Sequence, residues 1–203
     1  PARAAALHAG LERLHGLQAR VAALRTQVLH NDFSKSNIVV DHDDPRFVTG
    51  VIDFGDAVRT AIAVDVSTAL LNQLPRDAAE RPPVDLLADG RDVLRGYLRV
   101  ADLTDEELAL VPHLVMARVV ARALITTTRA ALFPDNAAYI LRNTEPGWGQ
   151  LAWFLARSVD EVSALLAGGA ARSTPTRKAG TVTTPPSRGK MNNAFDPARL
   201  ASL

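Results

Sequence analysis

The sequence contains no cysteine among its 203 residues. A disulfide framework and a thiolate metal site are therefore both excluded. The five histidines show no paired spacing of the kind that binds metal. Arg, Asp or Glu interrupts every apolar run before the roughly 20 residues that a membrane span needs, and no basic-then-apolar signal segment opens the chain. We therefore predict a cytoplasmic protein without a membrane partner.

Charge is unevenly distributed along the chain, although the net charge is only +1. Residues 170–203 contain six Lys or Arg and one acid, which leaves 17 basic and 21 acidic residues in 1–169. Because the body is net negative, no electrostatic argument favours nucleic acid as a partner. The hydrophobic content of 47% and the charged content of 22% are ordinary for a globular domain with one substantial core.

Hydrophobic periodicity predicts a mostly helical chain with a short β-rich insert. Apolar residues at helical spacing predict a helix over 1–26, and short β-rich runs follow, of which 37–41 and 47–53 form a predicted hairpin. Further helices are predicted over 62–74, 84–100, 105–132 and 147–167. Thr104 and Glu107 form a predicted capping box at the start of the longest helix, and Pro112 either kinks that helix or shifts its start.

Composition also predicts the domain organisation. Residues 1–169 form the predicted folded domain. Residues 170–190 are rich in Thr, Pro, Gly, Ser and basic residues and almost without large apolar groups, which favours a flexible basic linker. Residues 191–203 regain apolar character, so we expect them to begin a following domain or to dock.

The most informative stretch is HNDFSKSN, which runs from His30 to Asn37 and is followed by DFGD at 53–56. A hairpin that begins near Asn37 and ends near Asp53 brings these two residues together despite their separation in sequence. Phosphoryl transfer requires a carboxylate near the acceptor hydroxyl and oxygen ligands that hold Mg²⁺ on the ATP phosphates. Asp32 can supply the first, and Asn37 and Asp53 offer the oxygen atoms that Mg²⁺ prefers. The alternative is a hairpin in which these residues only form turns.

These motifs resemble those of the aminoglycoside phosphotransferase and choline-kinase superfamily, whose usual form is H-G-D-x-x-x-x-N followed by I-D-x-x-D. The resemblance implies that Asp32 is the catalytic base, that Asn37 and Asp53 bind Mg²⁺, and that ATP is the co-substrate. His30 would brace the loop, and Asp56 would support it or touch the metal or nucleotide indirectly. At position 31 the family commonly has Gly; Asn is a mild departure, because Asn tolerates a left-handed φ.

Two further segments, 50–70 and 136–151, are similar to the hydroxylysine-kinase and homoserine-kinase-like subgroup. The resemblance implies that the acceptor is a small amino alcohol, a hydroxy-amino acid or an aminoglycoside, and that Asp65 is a structural acid behind the active loop. A protein kinase is disfavoured, because Asn31 stands where Arg is usual and no A-P-E sequence follows Asp53.

The implied fold is α+β: the C-terminal lobe of a protein-kinase-like enzyme, mostly α-helical with a short catalytic β-hairpin. A small N-terminal lobe with a Gly-rich cover and a Lys is not expected here, because the residues before Asp32 read as helix and contain no Lys and no G-x-G run. We therefore expect the chain to be one part of a larger protein. A downstream class III aminotransferase is sometimes fused to such kinases. The alternative function is a non-catalytic pseudo-kinase lobe.

Arginines recur on the longest predicted helix at positions 118, 122 and 129. Arg118 and Arg122 are candidate acceptor-binding residues, since a guanidinium holds a substrate carboxylate bidentately. The alternative is a charged face on an otherwise apolar helix.

Overall fold

The computed structural model describes residues 2–167 of the chain, and the predicted linker and following segment lie outside this range. The described elements are α1 (Ala2–Ala22), β1 (Thr26–Leu29), β2 (Ile38–Val40), β3 (Val48–Val51), β4 (Val58–Ala61), α2 (Ile62–Leu71), α3 (Gly90–Tyr97), α4 (Asp105–Leu132), α5 (Ala137–Leu141), α6 (Glu145–Leu155) and α7 (Val159–Ala164). This mostly helical arrangement with a small β part agrees with the predicted α+β class.

The β part consists of two antiparallel strand pairs. Strands β2 and β3 form the predicted hairpin, with Ile38 opposite Val51. Strand β1 pairs with β4, with Thr26 opposite Ala61 and Leu29 opposite Val58. The sequence prediction did not include β4, which pairs with a partner about thirty residues earlier. The β1–β4 pair brings the two ends of segment 30–57 together and so frames the predicted site.

Helix α4 is the centre of the hydrophobic core. It packs against α1, α2, α5, α6 and α7, and Leu110, Val111, Val115 and Met116 are fully buried. By length and composition alone α4 could span a membrane, but 61% of its most apolar window is buried inside the protein. Its apolar residues therefore serve the core. The cytoplasmic location stays a prediction.

The start of α4 confirms the predicted capping box. The Thr104 hydroxyl accepts a hydrogen bond from the Glu107 amide at 3.1 Å, and the Glu107 carboxylate accepts one from the Thr104 amide at 2.7 Å. The helix begins at Asp105 and continues past Pro112, so this proline does not shift the start. The two hydrogen bonds satisfy amide donors that a helix start otherwise leaves unpaired.

Glu107 also ties the strand pair to the core. Its buried carboxylate accepts hydrogen bonds at 2.9 and 2.6 Å from Arg25, the residue immediately before β1. Burial raises the pKa of Glu107, but the hydrogen bonds from Arg25 and Thr104 lower it by more, and the net pKa lies below its usual value. The paired carboxylate thus stays charged and fixes the point at which the chain enters β1.

Two predicted helices differ from the structure by more than a few residues at their ends. The helix predicted over 84–100 spans only Gly90–Tyr97. The helix predicted over 147–167 is divided into α6 and α7. A second capping box causes that division, because Ser158 accepts from the Glu161 amide at 3.2 Å and Glu161 accepts from the Ser158 amide at 2.7 Å.

Gly149 allows α6 to pack closely on the segment that follows α2. A Cβ atom at position 149 would lie 2.4 Å from the Ala79 backbone nitrogen. Nearby, the Gln150 side chain donates to the Pro75 carbonyl at 2.9 Å, and the Trp153 indole donates to the Pro83 carbonyl at 2.7 Å. These contacts hold segment 75–83 directly against the helix.

Candidate active site

The predicted loop residues lie in two short segments that meet beside the strand pairs. Residues 30–37 connect β1 to β2 and end in a single 3₁₀ turn at Lys35–Asn37. Residues 52–57 connect β3 to β4 and contain a second such turn at Phe54–Asp56. The Ile52 amide donates to the Asn37 carbonyl at 2.9 Å, so the end of one segment lies beside the start of the other.

Asn31 has the left-handed backbone that the sequence favoured, with φ of 62°. Three elements hold it there. Its amide donates to Asp65 Oδ1 on α2 at 2.7 Å, its carbonyl accepts from Arg118 Nη2 on α4 at 2.5 Å, and its side-chain amide donates to the Asp56 carbonyl at 3.4 Å. The backbone immediately before Asp32 is therefore fixed by two core helices.

His30 braces both segments through its two ring nitrogens. The Asp32 amide donates to His30 Nδ1 at 3.3 Å, and His30 Nε2 lies 2.8 Å from the Ile52 carbonyl oxygen. Because an amide can only donate and a carbonyl can only accept, the ring is the neutral tautomer with its proton on Nε2. The His30 ring also contacts Phe54 at a centroid distance of 4.7 Å. These contacts link the two segments, and the bracing role implied for His30 stays a prediction.

Asp32 and Asn37 are in direct contact. Asn37 is buried, and its Nδ2 donates to the Asp32 carbonyl at 2.9 Å and to Asp32 Oδ2 at 3.0 Å. Asp32 is half-buried, and its Oδ1 has no hydrogen-bond partner within the described range. This carboxylate is thus oriented through one oxygen and free to accept a proton through the other.

Asp53 lies one residue beyond the Ile52 amide that contacts Asn37. Its backbone is left-handed, with φ and ψ of 64°, which is uncommon for a residue other than glycine. Within residues 2–167 its exposed carboxylate forms no hydrogen bond or ion pair. Asp56 supports the loop through its backbone carbonyl, which Asn31 contacts, and not through its carboxylate.

The side-chain oxygens of Asn37 and Asp53 fit a magnesium ion whose remaining coordination positions are filled by phosphate and water oxygens. No cluster of three or more His, Cys, Asp or Glu side chains with metal-binding geometry occurs within 2–167. Asn37 donates through Nδ2, so its Oδ1 stays available as a neutral oxygen ligand, and the Asp53 carboxylate has no partner among the described residues. Mg²⁺ is commonly bound by one or two protein side chains together with substrate phosphates.

The two candidate acceptor-binding arginines lie one turn apart on α4, but their surroundings differ. Arg118 donates to the Asn31 carbonyl and so contacts the loop backbone. The half-buried Arg122 guanidinium forms no hydrogen bond or ion pair with any residue of the described range. Burial lowers the pKa of Arg122, and the positive charges of Arg118 and Arg76 lower it further.

Sequence reasoning missed three features of this site: the Arg118 contact, the left-handed backbone of Asp53 and the position of Arg76. Arg76 follows α2, and its guanidinium donates to Asn143 Oδ1 and to the Arg142 carbonyl, both at 3.0 Å. Each feature depends on residues far apart in sequence or on a backbone angle, and a linear motif contains no signal for either.

Comparison with known proteins places the chain in a family. The model of the APH phosphotransferase enzyme family matches residues 1–103, which is half of the chain and includes Asp32, Asn37 and Asp53. The chain therefore belongs to the phosphotransferase enzyme family, as its loop motifs indicated. The match ends before α4 begins at Asp105, so it does not cover Arg118 or Arg122.

Two curated relatives are hydroxylysine kinases. The one from Bos taurus is 23% identical over 133 residues, which cover 63% of this chain and 34% of that protein. The one from Mus musculus is 23% identical over 138 residues, which cover 65% of this chain and 35% of that protein. The chain thus spans about a third of the length of the curated relatives it matches. No solved structure matches it significantly.

Proposed function

We propose that this chain is the catalytic C-terminal lobe of an ATP-dependent kinase that phosphorylates a hydroxyl of a small amino alcohol or hydroxy-amino acid. One observation carries the proposal: Asn37 contacts the Asp32 carboxylate at 3.0 Å and, through its own carbonyl, the Ile52 amide immediately before Asp53 at 2.9 Å. Asp32 and Asn37 of one loop thus lie next to the start of the loop that contains Asp53. The family membership and the two kinase relatives support the same reaction class.

In the proposed reaction the acceptor hydroxyl gives its proton to Asp32 as its oxygen bonds to the γ-phosphorus of ATP. The bond from that phosphorus to the bridging oxygen breaks, and ADP leaves with the bonding electron pair. Asn37 keeps the Asp32 carboxylate oriented during this step. Asn37 Oδ1 and the Asp53 carboxylate would hold Mg²⁺, which neutralises charge on the phosphates when bound.

We further propose that a second, β-rich lobe covers the hairpin side of this site. Six large apolar side chains there are at least 41% exposed: Val39, Val40, Phe47, Val48, Ile52 and Phe54. An exposed apolar surface of this kind is typical of an interface. It borders Asn37 and Asp53, so a lobe seated on it would enclose bound nucleotide.

The test is steady-state kinetics of the full-length protein with Mg-ATP and candidate acceptors. Replacing Asp32 with Asn should lower kcat by about 10²–10⁴-fold, which is the usual contribution of a positioned general base. The KM for ATP should change little. Asp43→Asn is the matched control, because Asp43 is exposed on the turn between β2 and β3. Normal turnover by Asp32→Asn would refute the assignment of the base.

A second candidate function is a lobe that binds nucleotide without phosphorylating an acceptor, and it is favoured by the family match, which covers Asn37 and Asp53 but ends at residue 103, before the candidate acceptor-binding arginines of α4. Calorimetry with Mg-ATP separates the two. If the full-length protein binds Mg-ATP but phosphorylates no amino alcohol or hydroxy-amino acid, the non-catalytic function is correct. Loss of that binding in Asp53→Ala would support the metal site in either case.

A further inference from the structure

Three arginines from two elements converge beside the catalytic loop. Arg118 and Arg122 are four residues apart on α4 and therefore lie on the same face, with Cβ atoms about 5–6 Å apart. Arg118 contacts the carbonyl of Asn31, the residue before Asp32, at 2.5 Å. Arg122 thus lies about one helical turn from the loop that holds the proposed base.

Arg76 reaches the same region from the segment after α2. It contacts residues 142 and 143, whereas Thr126, one turn beyond Arg122 on α4, hydrogen-bonds Thr144 at 2.6 Å. Thr126 of α4 and Arg76 therefore both contact the short segment 142–144. That Arg76 and Arg118 both lower the pKa of Arg122 agrees with this closeness.

No carboxylate of the described residues pairs with this group of arginines. Seven other arginines in residues 2–167 form ion pairs with Asp or Glu, but Arg76, Arg118 and Arg122 form none. Arg76 and Arg118 donate only to neutral oxygens, and the Arg122 guanidinium has no partner among the described residues. A partly buried charge without a partner is costly, and a bound anion removes that cost.

The adjoining surface has the same sign. A small cavity beside segment 142–144 is lined by Thr126, Arg129, Asn136, Tyr139, Ile140, Arg142 and Asn143. Two of these side chains are basic and none is acidic. A polycationic or purely cationic acceptor would be repelled here, whereas an acceptor with a carboxylate would be attracted.

We propose that Arg122, with Arg76, binds a carboxylate of the acceptor, and that Arg118 instead positions the catalytic loop. This inference rests on the proposed kinase function and narrows its substrate class to hydroxy-amino acids. The acceptor would direct its carboxylate to Arg122 and its hydroxyl to Asp32. A guanidinium suits this role because its fork of donors matches the two carboxylate oxygens.

The test compares acceptors that differ only in charge. Full-length protein is assayed with hydroxylysine and homoserine and with the carboxamide of each. Arg122→Gln should raise the KM for both amino acids about 10–100-fold, leave their kcat within about threefold, and leave the carboxamides and the KM for ATP unchanged. Arg122→Lys should raise the KM for the amino acids less than Arg122→Gln does, since the positive charge is kept. Arg99→Gln, which changes an exposed arginine after α3 and away from this cavity, is the matched control and should behave as wild type.

Arg118→Gln should give the opposite pattern, with kcat reduced for all acceptors and KM little changed. If Arg122→Gln reduces turnover of the amino acids and the carboxamides equally, Arg122 is structural and the inference is wrong.

Failure of the kinase function itself would be seen separately. If the wild-type protein phosphorylates no acceptor, calorimetry without ATP tests the anion site alone. Binding of hydroxylysine or homoserine that is absent with the carboxamides and lost in Arg122→Gln would support the site without the reaction. If the amino acids and the carboxamides bind equally well, or if neither binds, the proposed carboxylate site is wrong.

Discussion

The backbone amide of Asn31 donates a hydrogen bond to Oδ1 of Asp65 at 2.7 Å, and this contact joins the proposed catalytic loop to helix α2. Asn31 has φ of 62°, so the loop depends on this bond to hold a conformation that most residues avoid. In the proposed reaction Asp65 would act only through the position of Asp32, the residue that follows Asn31.

Removal of this acceptor should therefore slow the reaction without weakening ATP binding. We expect Asp65→Ala to lower kcat about 10–100-fold, as removal of an orienting hydrogen bond commonly does, with the KM for ATP little changed. Asp65→Asn keeps an acceptor oxygen and should recover part of the activity. Asp89→Ala, which changes an exposed acid outside the site, is the control in the same steady-state assay. Wild-type kcat in Asp65→Ala would show that the loop does not need this bond.

Position 31 should distinguish the need for a left-handed backbone from the need for an asparagine side chain. Asn31→Gly accepts φ of 62° without strain and loses only the 3.4 Å contact to Asp56, so it should keep near-normal stability and kcat. Asn31→Ala should be less stable by about 1–2 kcal/mol, because an alanine disfavours this φ. Urea unfolding measures the stability of both variants, and steady-state kinetics measures their kcat. Equal stability of the two variants would contradict the strain argument.

His113 should make stability depend on pH. Burial, with Arg13 and Arg20 as weaker causes, lowers its pKa to about 4, although the Val159 backbone raises it slightly. The unfolded chain has the ordinary value of about 6.5, so it binds more protons than the folded protein between pH 6.5 and 4. Stability is therefore intact above pH 6.5 and falls as the pH drops towards 4, by up to about 3 kcal/mol from this group.

Urea unfolding of wild type and His113→Gln at several pH values between 7 and 4 measures this effect. The variant should lose less stability than wild type over that interval, since Gln does not titrate. His15→Gln, which removes an exposed histidine from α1, should retain the wild-type slope. Parallel curves for wild type and His113→Gln would show that His113 does not contribute.

Gly149 and Gly16 should respond to alanine in opposite directions. A Cβ at 149 would meet the Ala79 backbone at 2.4 to 2.7 Å, so Gly149→Ala should destabilise the protein by about 1–3 kcal/mol. A Cβ at the exposed position 16 of α1 meets nothing within 4 Å, and Gly16→Ala should stabilise the protein by about 0.5–1 kcal/mol. Thermal unfolding of both variants checks the signs. Because Arg76 lies in the displaced segment, Gly149→Ala should also raise the KM for a carboxylate-bearing acceptor.

Much of the fold could be predicted because its signals are local. The Thr104–Glu107 capping box indicated the start of α4, and the short β-rich runs at 37–41 and 47–53 indicated the hairpin. Strand β4 was missed because its partner β1 lies far away in sequence. The break between α6 and α7 did have a local signal, the pair Ser158 and Glu161, which the continuous apolar pattern outweighed.

The sequence indicated which residues belong to the candidate site but not which contacts they form. The motif spacing identified Asp32, Asn37 and Asp53, whose roles stay predictions, and the left-handed backbone at Asn31 was expected. Which partner each side chain has could not be predicted, because the partners are on helices that the motif does not include. Arg118 illustrates this: the helical pattern made it a candidate for binding the acceptor, whereas its guanidinium contacts the loop backbone.

The pairing of β1 with β4 has a consequence for the order of folding. Every loop residue of the candidate site lies in segment 30–57, whose ends meet only when these strands pair. Closing a loop of this length costs about 3 kcal/mol of chain entropy, which must be met before the contacts of His30 and Asn31 can form. The helices can therefore assemble locally while the site is still open, and we expect the site to be completed late and as a unit.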